Sequence, residues 1–481
     1  LPISLQQQMR QTQQLLARAQ GIAYDVQQIE RDFARQYKDV DLTGSQRAGD
    51  NYAAATLEAI LTDRSVLDGE DDLRGLVASQ PRQLLTQAYL TGQQPDFYFE
   101  AGTFLFQGLR ESDDDAQIPK VVPAVFAEKV FDFGPVGGQL AADFSAVGLL
   151  RDQITALPNG QMTLDSSRVS ATADWRAQYI VGPGLVVEPF GLGRGDFYHI
   201  DDDDPDDPLD AGSSRDISRV LGVAGAQISY PLINRSENMD IIVEPIAMIA
   251  YGTPDANDDG IPNEDSLVFE ADETNLFRPN AVSNYDLWEG GARASIGVSA
   301  TARIGKDVEL TTLVGRRWRE DPDPAFNDLS NLSGEKSDYV ASVRADLGNI
   351  FNVGARFRVD DEYEVKRMDV DAGANFWRIH GSARYFKVAE NASGVADEGI
   401  AWNGEFKIDD RWSAVIQQTR NIAEKQDIRL ALGIAYRDEC SFFQIAYERS
   451  GSRDRTLGPS ESIRFQFVLT GLGGVSDSDT D

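Results

Sequence analysis

The chain has 481 residues, a formal net charge of −33 and a pI near 4.4. That balance excludes nucleic acid as a partner, since phosphates call for clusters of Lys and Arg. It suits a self-repelling soluble surface or a barrel with an acidic lumen and loops. Cys440 is the single cysteine, so no disulfide framework supports the fold. No run of about 18 apolar residues offers a transmembrane helix.

The first residues, Leu1 to Ser4, lack a basic stretch followed by an apolar core and do not read as a secretory signal. They imply a mature or truncated form, or a chain that is not exported. Residues 1–45 form the first unit, an amphipathic helical segment. Leu16, Ala19, Ile22 or Ala23, Val26, Ile29 and Phe33 recur at spacings of three and four, on one helix face. Such a helix needs a partner surface, as in a coiled coil or bundle. A membrane-surface helix is the alternative, although its polar face is not strongly basic. Residues 46–81 are a junction, with a short helix expected over Asn51–Leu61 and an acidic patch at Asp68–Asp72.

From Arg82 the period changes to two, and it stays so to Gly471. Tyr339, Ala341, Val343, Ala345 and Leu347 alternate with Val340, Ser342, Arg344 and Asp346. Ile428, Leu430, Leu432, Ile434 and Tyr436 do the same, as do Ile463, Phe465, Phe467 and Leu469. Period two puts each set on one face of a strand. A soluble sandwich would bury the apolar face, and a membrane barrel would turn it to lipid. Segment length favours the barrel, because a tilted spanning strand needs about 9–11 residues. So do aromatics expected at strand ends (Tyr230, Tyr251, Trp318, Tyr385, Trp402, Trp412) and the alternation of short with long acidic connections. About 18 or 19 strands are expected. The fold class is therefore all-β: a large antiparallel transmembrane β-barrel over residues 82–474, possibly incomplete, preceded by a short α-helical N-terminal segment. Residues 475–481 are an acidic tail.

The longest connection, Ile261–Arg293, has no periodic apolar face, carries Pro262 and Pro279, and ends in Gly290-Gly291. A loop of this length is functional or disordered. Its Leu267, Phe269, Leu276, Phe277, Tyr285 and Trp288 argue for order. It is expected to be structural, folding into or over the lumen.

Ile261, Pro262, Asn263, Glu264 and Asp265, then Asn275, Leu276 and Phe277, then Tyr285, Trp288, Glu289, Gly290 and Gly291 resemble the signature run of the LptD family. Phe104-Phe106-Gln107-Gly108-Leu109-Arg110, Tyr436 to Cys440, Tyr447 to Ser450 and Arg453 to Arg455 resemble other strands of that family, over roughly residues 85–474. The resemblance implies a barrel in the outer membrane of a Gram-negative bacterium. It also implies a non-enzymatic role without cofactors: placing lipopolysaccharide in the outer leaflet through a lateral opening. Implied partners are lipopolysaccharide and outer-membrane lipids, an LptE-like plug lipoprotein, an LptA-like periplasmic bridge and the barrel-assembly machinery. The family has a periplasmic jellyroll before its barrel, and nothing before residue 82 reads as one. The first 40 or so residues instead resemble TrbJ, a conjugative-transfer protein, through Ser4 to Gln8, Gln11 to Leu16 and Ala19 to Asp25.

Other residues invite other chemistry. Asp255, Asn257 and Asp259, followed by Gly260, match the start of a calcium loop, but Ser266 stands where a bidentate Glu belongs. A plain acidic outer loop is the competing reading. The run Asp201 to Asp207 reads as a solvated acidic loop. His199 and His380 lack the surroundings of a catalytic triad, although Ser382 shares a strand face with His380. Cys440 reads as a small buried apolar residue; by resemblance it falls at the family's C-terminal cysteine pair, where Ser441 replaces a second cysteine. Arg344, Arg356, Arg358, Arg429 and Arg464 share the lumen face, where they would meet lipid phosphates or pair with lumen carboxylates. A passive porin-like channel is the alternative function.

Overall fold

The computed structural model describes residues 56–60, 83–109, 115–133, 137–153, 165–201, 214–258, 260–265, 270–282, 284–389, 396–451 and 459–469. These form one sheet of 22 strands in which neighbours along the chain pair antiparallel. The first eight are β1 (Thr56–Ile60), β2 (Gln83–Gln94), β3 (Phe97–Gly108), β4 (Lys120–Asp132), β5 (Gln139–Leu150), β6 (Asp165–Arg176), β7 (Tyr179–Val181) and β8 (Leu185–Asp201). Next come β9 (Ser214–Ser229), β10 (Leu232–Arg235), β11 (Met239–Gly252), β12 (Gly291–Ile304), β13 (Val308–Arg319), β14 (Tyr339–Leu347) and β15 (Phe351–Val359). The last are β16 (Val365–Phe376), β17 (Ile379–Val388), β18 (Asp397–Lys407), β19 (Trp412–Asn421), β20 (Gln426–Arg437), β21 (Ser441–Ser450) and β22 (Ser460–Leu469).

β6 and β7 both pair with β8, and β9 and β10 both pair with β11. Each couple is one strand interrupted, the second at Tyr230-Pro231, where proline has no N–H to give the ladder. Counted so, 19 strands run from β2 to β22, in line with the sequence expectation. Of the short helix expected over Asn51–Leu61, the described part, Thr56–Ile60, is instead strand β1, laddered to β2 between Gln87 and Thr91. The amphipathic segment 1–45, its TrbJ-like run and the acidic tail lie outside the described residues. Among the described residues, the outer edge of β22 carries no ladder.

Which face is buried decides between sandwich and barrel. Ile463, Phe465 and Phe467 are 68, 78 and 63% exposed. Leu432 and Ile434 of β20 and Val343 and Leu347 of β14 also point outward and are exposed, while Ala431, Ala435 and Val340 on the opposite face are buried. Arg168, Arg194 and Arg317 are buried on the inner face. Apolar outside and charged inside is the inverse of a soluble sandwich and the pattern of a barrel set in lipid. The ladder running from β1 to β22 meets, between those strands, the demand that backbone groups in lipid be satisfied internally.

All connections at one end are short, as at Asp96, Gly305–Asp307, Gly348–Ile350 and Trp377-Arg378. At the other end most are long, although β15 and β16, and β19 and β20, are joined by short turns. Exposed Phe131, Phe376, Trp377, Phe406 and Trp412 ring the short-turn end. Tyr251 and Trp318 are exposed near the long-loop end. Trp402 departs from the expected girdle: it sits mid-strand in β18, half-buried, its indole N–H donating to Gln418 (3.1 Å).

Candidate functional site: a plug in the lumen

The chain leaves β11 at Gly252 and returns at Gly291, and the stretch between folds inside the barrel at its long-loop end. Apolar residues start the docking. Trp288, 1% exposed, packs on Phe190, Leu221, Val223, Met248 and Ala250 of β8, β9 and β11. Ile261 packs with Tyr198 and Ile200. Ala271, Ala281 and Val282 share a cluster with Phe326 and Leu332 of the β13–β14 loop. Leu276 and Phe277 lie on a flat of wall glycines. A Cβ on Gly315 would stand 2.5 Å from Leu276, and one on Gly297 3.0 Å from Phe277. Gly290 has the same cause: a Cβ there would meet the Thr253 carbonyl at 2.5 Å, where the two ends of the plug pass each other.

Four arginines of the β5–β9 wall then hold the plug's inner knot. Asp265 accepts the backbone N–H groups of Tyr285 (3.0 Å) and Asp286 (3.1 Å). Asp286 in return accepts those of Glu264 (2.8 Å) and Asp265 (3.0 Å). Arg168 donates to both carboxylates at 2.8 Å. Arg151 pairs with Glu264 at 2.7 Å. Arg194 and Arg219 share Asp196 (3.1 and 2.8 Å) and donate to the Tyr285 carbonyl. The guanidinium of Arg168 lies 4.3 Å over the Tyr285 ring, and Arg194 stacks on Tyr285 and Trp288. The named pairs thus engage four guanidiniums with four carboxylates. Burial and the neighbouring Asp265 push the Asp286 carboxyl up, against the pull of Arg168.

Glu289 is the second anchor. Arg317 reaches it at 2.6 Å and Arg293 at 3.4 Å. Arg317 also donates to the carbonyls of Asn275, Leu276 and Arg278. Burial alone would raise the Glu289 carboxyl; Arg317, Arg293 and Arg319 outweigh it and bring it down to about 2.

The third anchor, on β15 and β16, is built differently. Glu270 bridges Arg358 (2.7 Å) and Arg367 (2.6 Å). Arg358 also serves Asp338, and Arg367 also serves Asp369. Asp272 is turned back on its own loop, accepting from Thr274. Among the described residues, the one ion pair of Glu273 is with half-exposed Arg356, at 3.9 Å. Burial and the neighbouring Asp272 push the Glu273 carboxyl up to about 7.

The arginines expected on the lumen face are there, and most are paired. Arg358 holds Glu270 and Asp338, while Arg429 (2.9 Å) and Arg464 (2.8 Å) share Glu448. Arg344 is exposed on the same face of β14. Asn257, a calcium-loop candidate, is spent on the plug: its amide donates to the Trp288 carbonyl (2.9 Å) and its oxygen accepts the Trp288 N–H (2.8 Å). Asp255 has a positive φ of 49°, and Asp259 lies outside the described residues, as does the run from Asp202 to Asp207. Among the described residues no group of three or more His, Cys, Asp or Glu could hold a metal ion.

Cys440 is not a small buried residue, contrary to one sequence expectation. It is exposed in the turn before β21, at the short-turn end, and its N–H caps Asp438 (3.0 Å). A turn tip lacks the neighbours that would cover it. His199 pairs with Asp216 (2.7 Å), and Ser382 accepts from Asn403 (2.8 Å).

Sequence reasoning missed Arg151, Arg168, Arg194, Arg219, Arg293 and Arg317. Each except Arg151 sits within a strand at the inward parity, in the half nearer the long loops. That position, read against the acid content of Glu264 to Glu289, was the available signal.

The sequence model of LptD, described as LPS transport system D, matches residues 68–415. The chain belongs to the LptD family. A second model, the sigma2 domain of PhyR, matches residues 35–76. No comparison supports the TrbJ resemblance. No curated protein matches the chain. Among solved structures, the ferric-catecholate import receptor Fiu of E. coli K12 is 10% identical, with 76% of this chain and 68% of that one covered and a TM-score of 0.36. The FrpB iron transporter of Neisseria meningitidis is 9% identical, with coverage of 80 and 71% and a TM-score of 0.37. The ferric enterobactin receptor PfeA of Pseudomonas aeruginosa is 8% identical, with coverage of 80 and 69% and a TM-score of 0.41. Likenesses this remote say nothing of what an LptD-family chain carries. As an LptD-family barrel with an apolar outer face, the protein resides in the Gram-negative outer membrane. The long loops of such barrels face outward and the short turns face the periplasm, so the plug enters from the outside.

Proposed function

We propose that the protein inserts lipopolysaccharide into the outer leaflet, the acyl chains leaving sideways through the barrel wall while the sugars pass the lumen. The match of the LptD model over residues 68–415 carries this reading. Delivery by an LptA-like bridge, a lumenal LptE-like lipoprotein and assembly by the barrel-assembly machinery belong to the same proposal. Nothing in it calls for catalysis: the barrel supplies a path, and the plug is what the sugars must get past. The buried ion pairs that hold the plug against the lumen wall speak against an open passive channel.

The test is purification of the tagged chain from outer membranes with stringent detergent washing, followed by assay for retained lipopolysaccharide. Retention above that of an unrelated porin supports insertion. A folded barrel without lipid, conducting ions in planar bilayers with no lipid preference, would turn the assignment to the porin-like alternative.

A further inference from the structure

We propose that the plug is hinged. The Glu289 anchor on β12–β13 holds it fixed, while the Glu270–Glu273 clasp on β15–β16 lets go as the medium turns from mildly acidic to alkaline.

The three anchors differ in how their charges are balanced. In the knot, four guanidiniums pair with four carboxylates, with buried Asp143 of β5 a fifth beside Tyr285, and Asp265 and Asp286 each accept two backbone N–H groups as well. At Glu289, two guanidiniums converge on one carboxylate. In the clasp, three guanidiniums (Arg356, Arg358, Arg367) face five carboxylates (Glu270, Asp272 and Glu273 of the plug, Asp338 of the β13–β14 loop, Asp369 of β16). Like charges crowded in a partly dry site disfavour full ionisation. Glu273 is the member least served. It faces Asp272 beside it, Arg356 from β15 and Asp369 from β16. Its side chain is 14% exposed, so its charge is poorly hydrated.

Docking raises the Glu273 carboxyl from the usual glutamate range to about 7. A group raised on docking favours the docked state below its free value, and that contribution fades as pH rises through the docked value. Below about pH 5 the clasp is tightest; above about pH 7 a fifth negative charge opposes it. The Glu289 anchor, held by Arg293 and Arg317, keeps the plug in register, so opening is local and reversible. This regulation rests on the proposed lipopolysaccharide path only for its purpose, and its test uses no lipid.

The experiment is hydrogen exchange of the purified full chain in detergent micelles at pH 5.5 and pH 8, with rates corrected for intrinsic exchange. We expect amides 270–276 to lose protection at least about tenfold at pH 8, since one pKa unit corresponds to tenfold. Glu273→Gln should abolish that loss at 270–276 while leaving any change at 284–286 as in the parent. Arg356→Gln, which removes the nearest cation and so raises the docked Glu273 carboxyl further, should shift the midpoint of the loss to higher pH. Equal protection of 270–276 at both pH values in the parent would overturn the proposal, as would an unchanged loss in Glu273→Gln. If Glu273→Gln fails to fold, an unmoved midpoint in Arg356→Gln overturns it instead. A barrel that retains no lipopolysaccharide yet shows this switch would refute the transport reading and leave the hinge standing.

Discussion

The inner knot and the clasp are both made of arginines from the wall and acids from the plug, yet they are different devices. In the knot, Asp265 and Asp286 each cap the other's backbone, and one guanidinium ties the pair. Asp265 and Asp286 each accept two backbone N–H groups besides that guanidinium. In the clasp, Glu270 splits itself between two arginines that are already shared. Counting ion pairs therefore says little about strength. What matters is whether each buried charge is matched and hydrogen-bonded.

Arg168→Met should separate the two devices most strongly. It leaves Asp265 and Asp286 facing each other without their cation, and breaking a buried pair costs about 3–5 kcal/mol. We expect amides 264–265 and 284–286 to lose protection while the barrel keeps its heat-modifiable gel shift. Gly315→Leu should act next, at about 1–3 kcal/mol from overpacking against Leu276. Its readout is faster trypsin cleavage after Arg278. Arg358→Gln, confined to the clasp, should cost about 1.5–3 kcal/mol in lost charged hydrogen bonds and expose 270–276 without touching the knot. If it loosens the knot equally, the plug is a single cooperative unit and the two anchors are one. Asn257→Ala should be the mildest, about 1 kcal/mol for each of the two bonds to Trp288, seen as altered tryptophan fluorescence.

Acid draws the same contrast more finely. Glu289 is held down to about 2, so its contribution is present above the usual glutamate range and is lost only as pH falls towards 2. The Ala281 amide, which donates to Glu289 (2.9 Å), should therefore stay protected between pH 5.5 and 8 while the clasp loosens. Exchange at that single amide is the check.

The strands, their facing and their number were legible in the chain alone, because period-two patterning is local and a strand's register follows its neighbours through short turns. The outward Ile463, Phe465 and Phe467 and the inward Arg464 could be read residue by residue. That Ile261–Arg293 is ordered could be read too, from its aromatics. What orders it emerged only from the assembled fold. Arg168 lies 97 residues from Asp265 and 118 from Asp286 in the chain, and no local pattern announces such a meeting. Nor could parity alone tell which lumen arginines are matched and which, like Arg344, face water. Burial and charge matching depend on which walls the curved sheet brings round the plug, and that is a property of the barrel rather than of any strand.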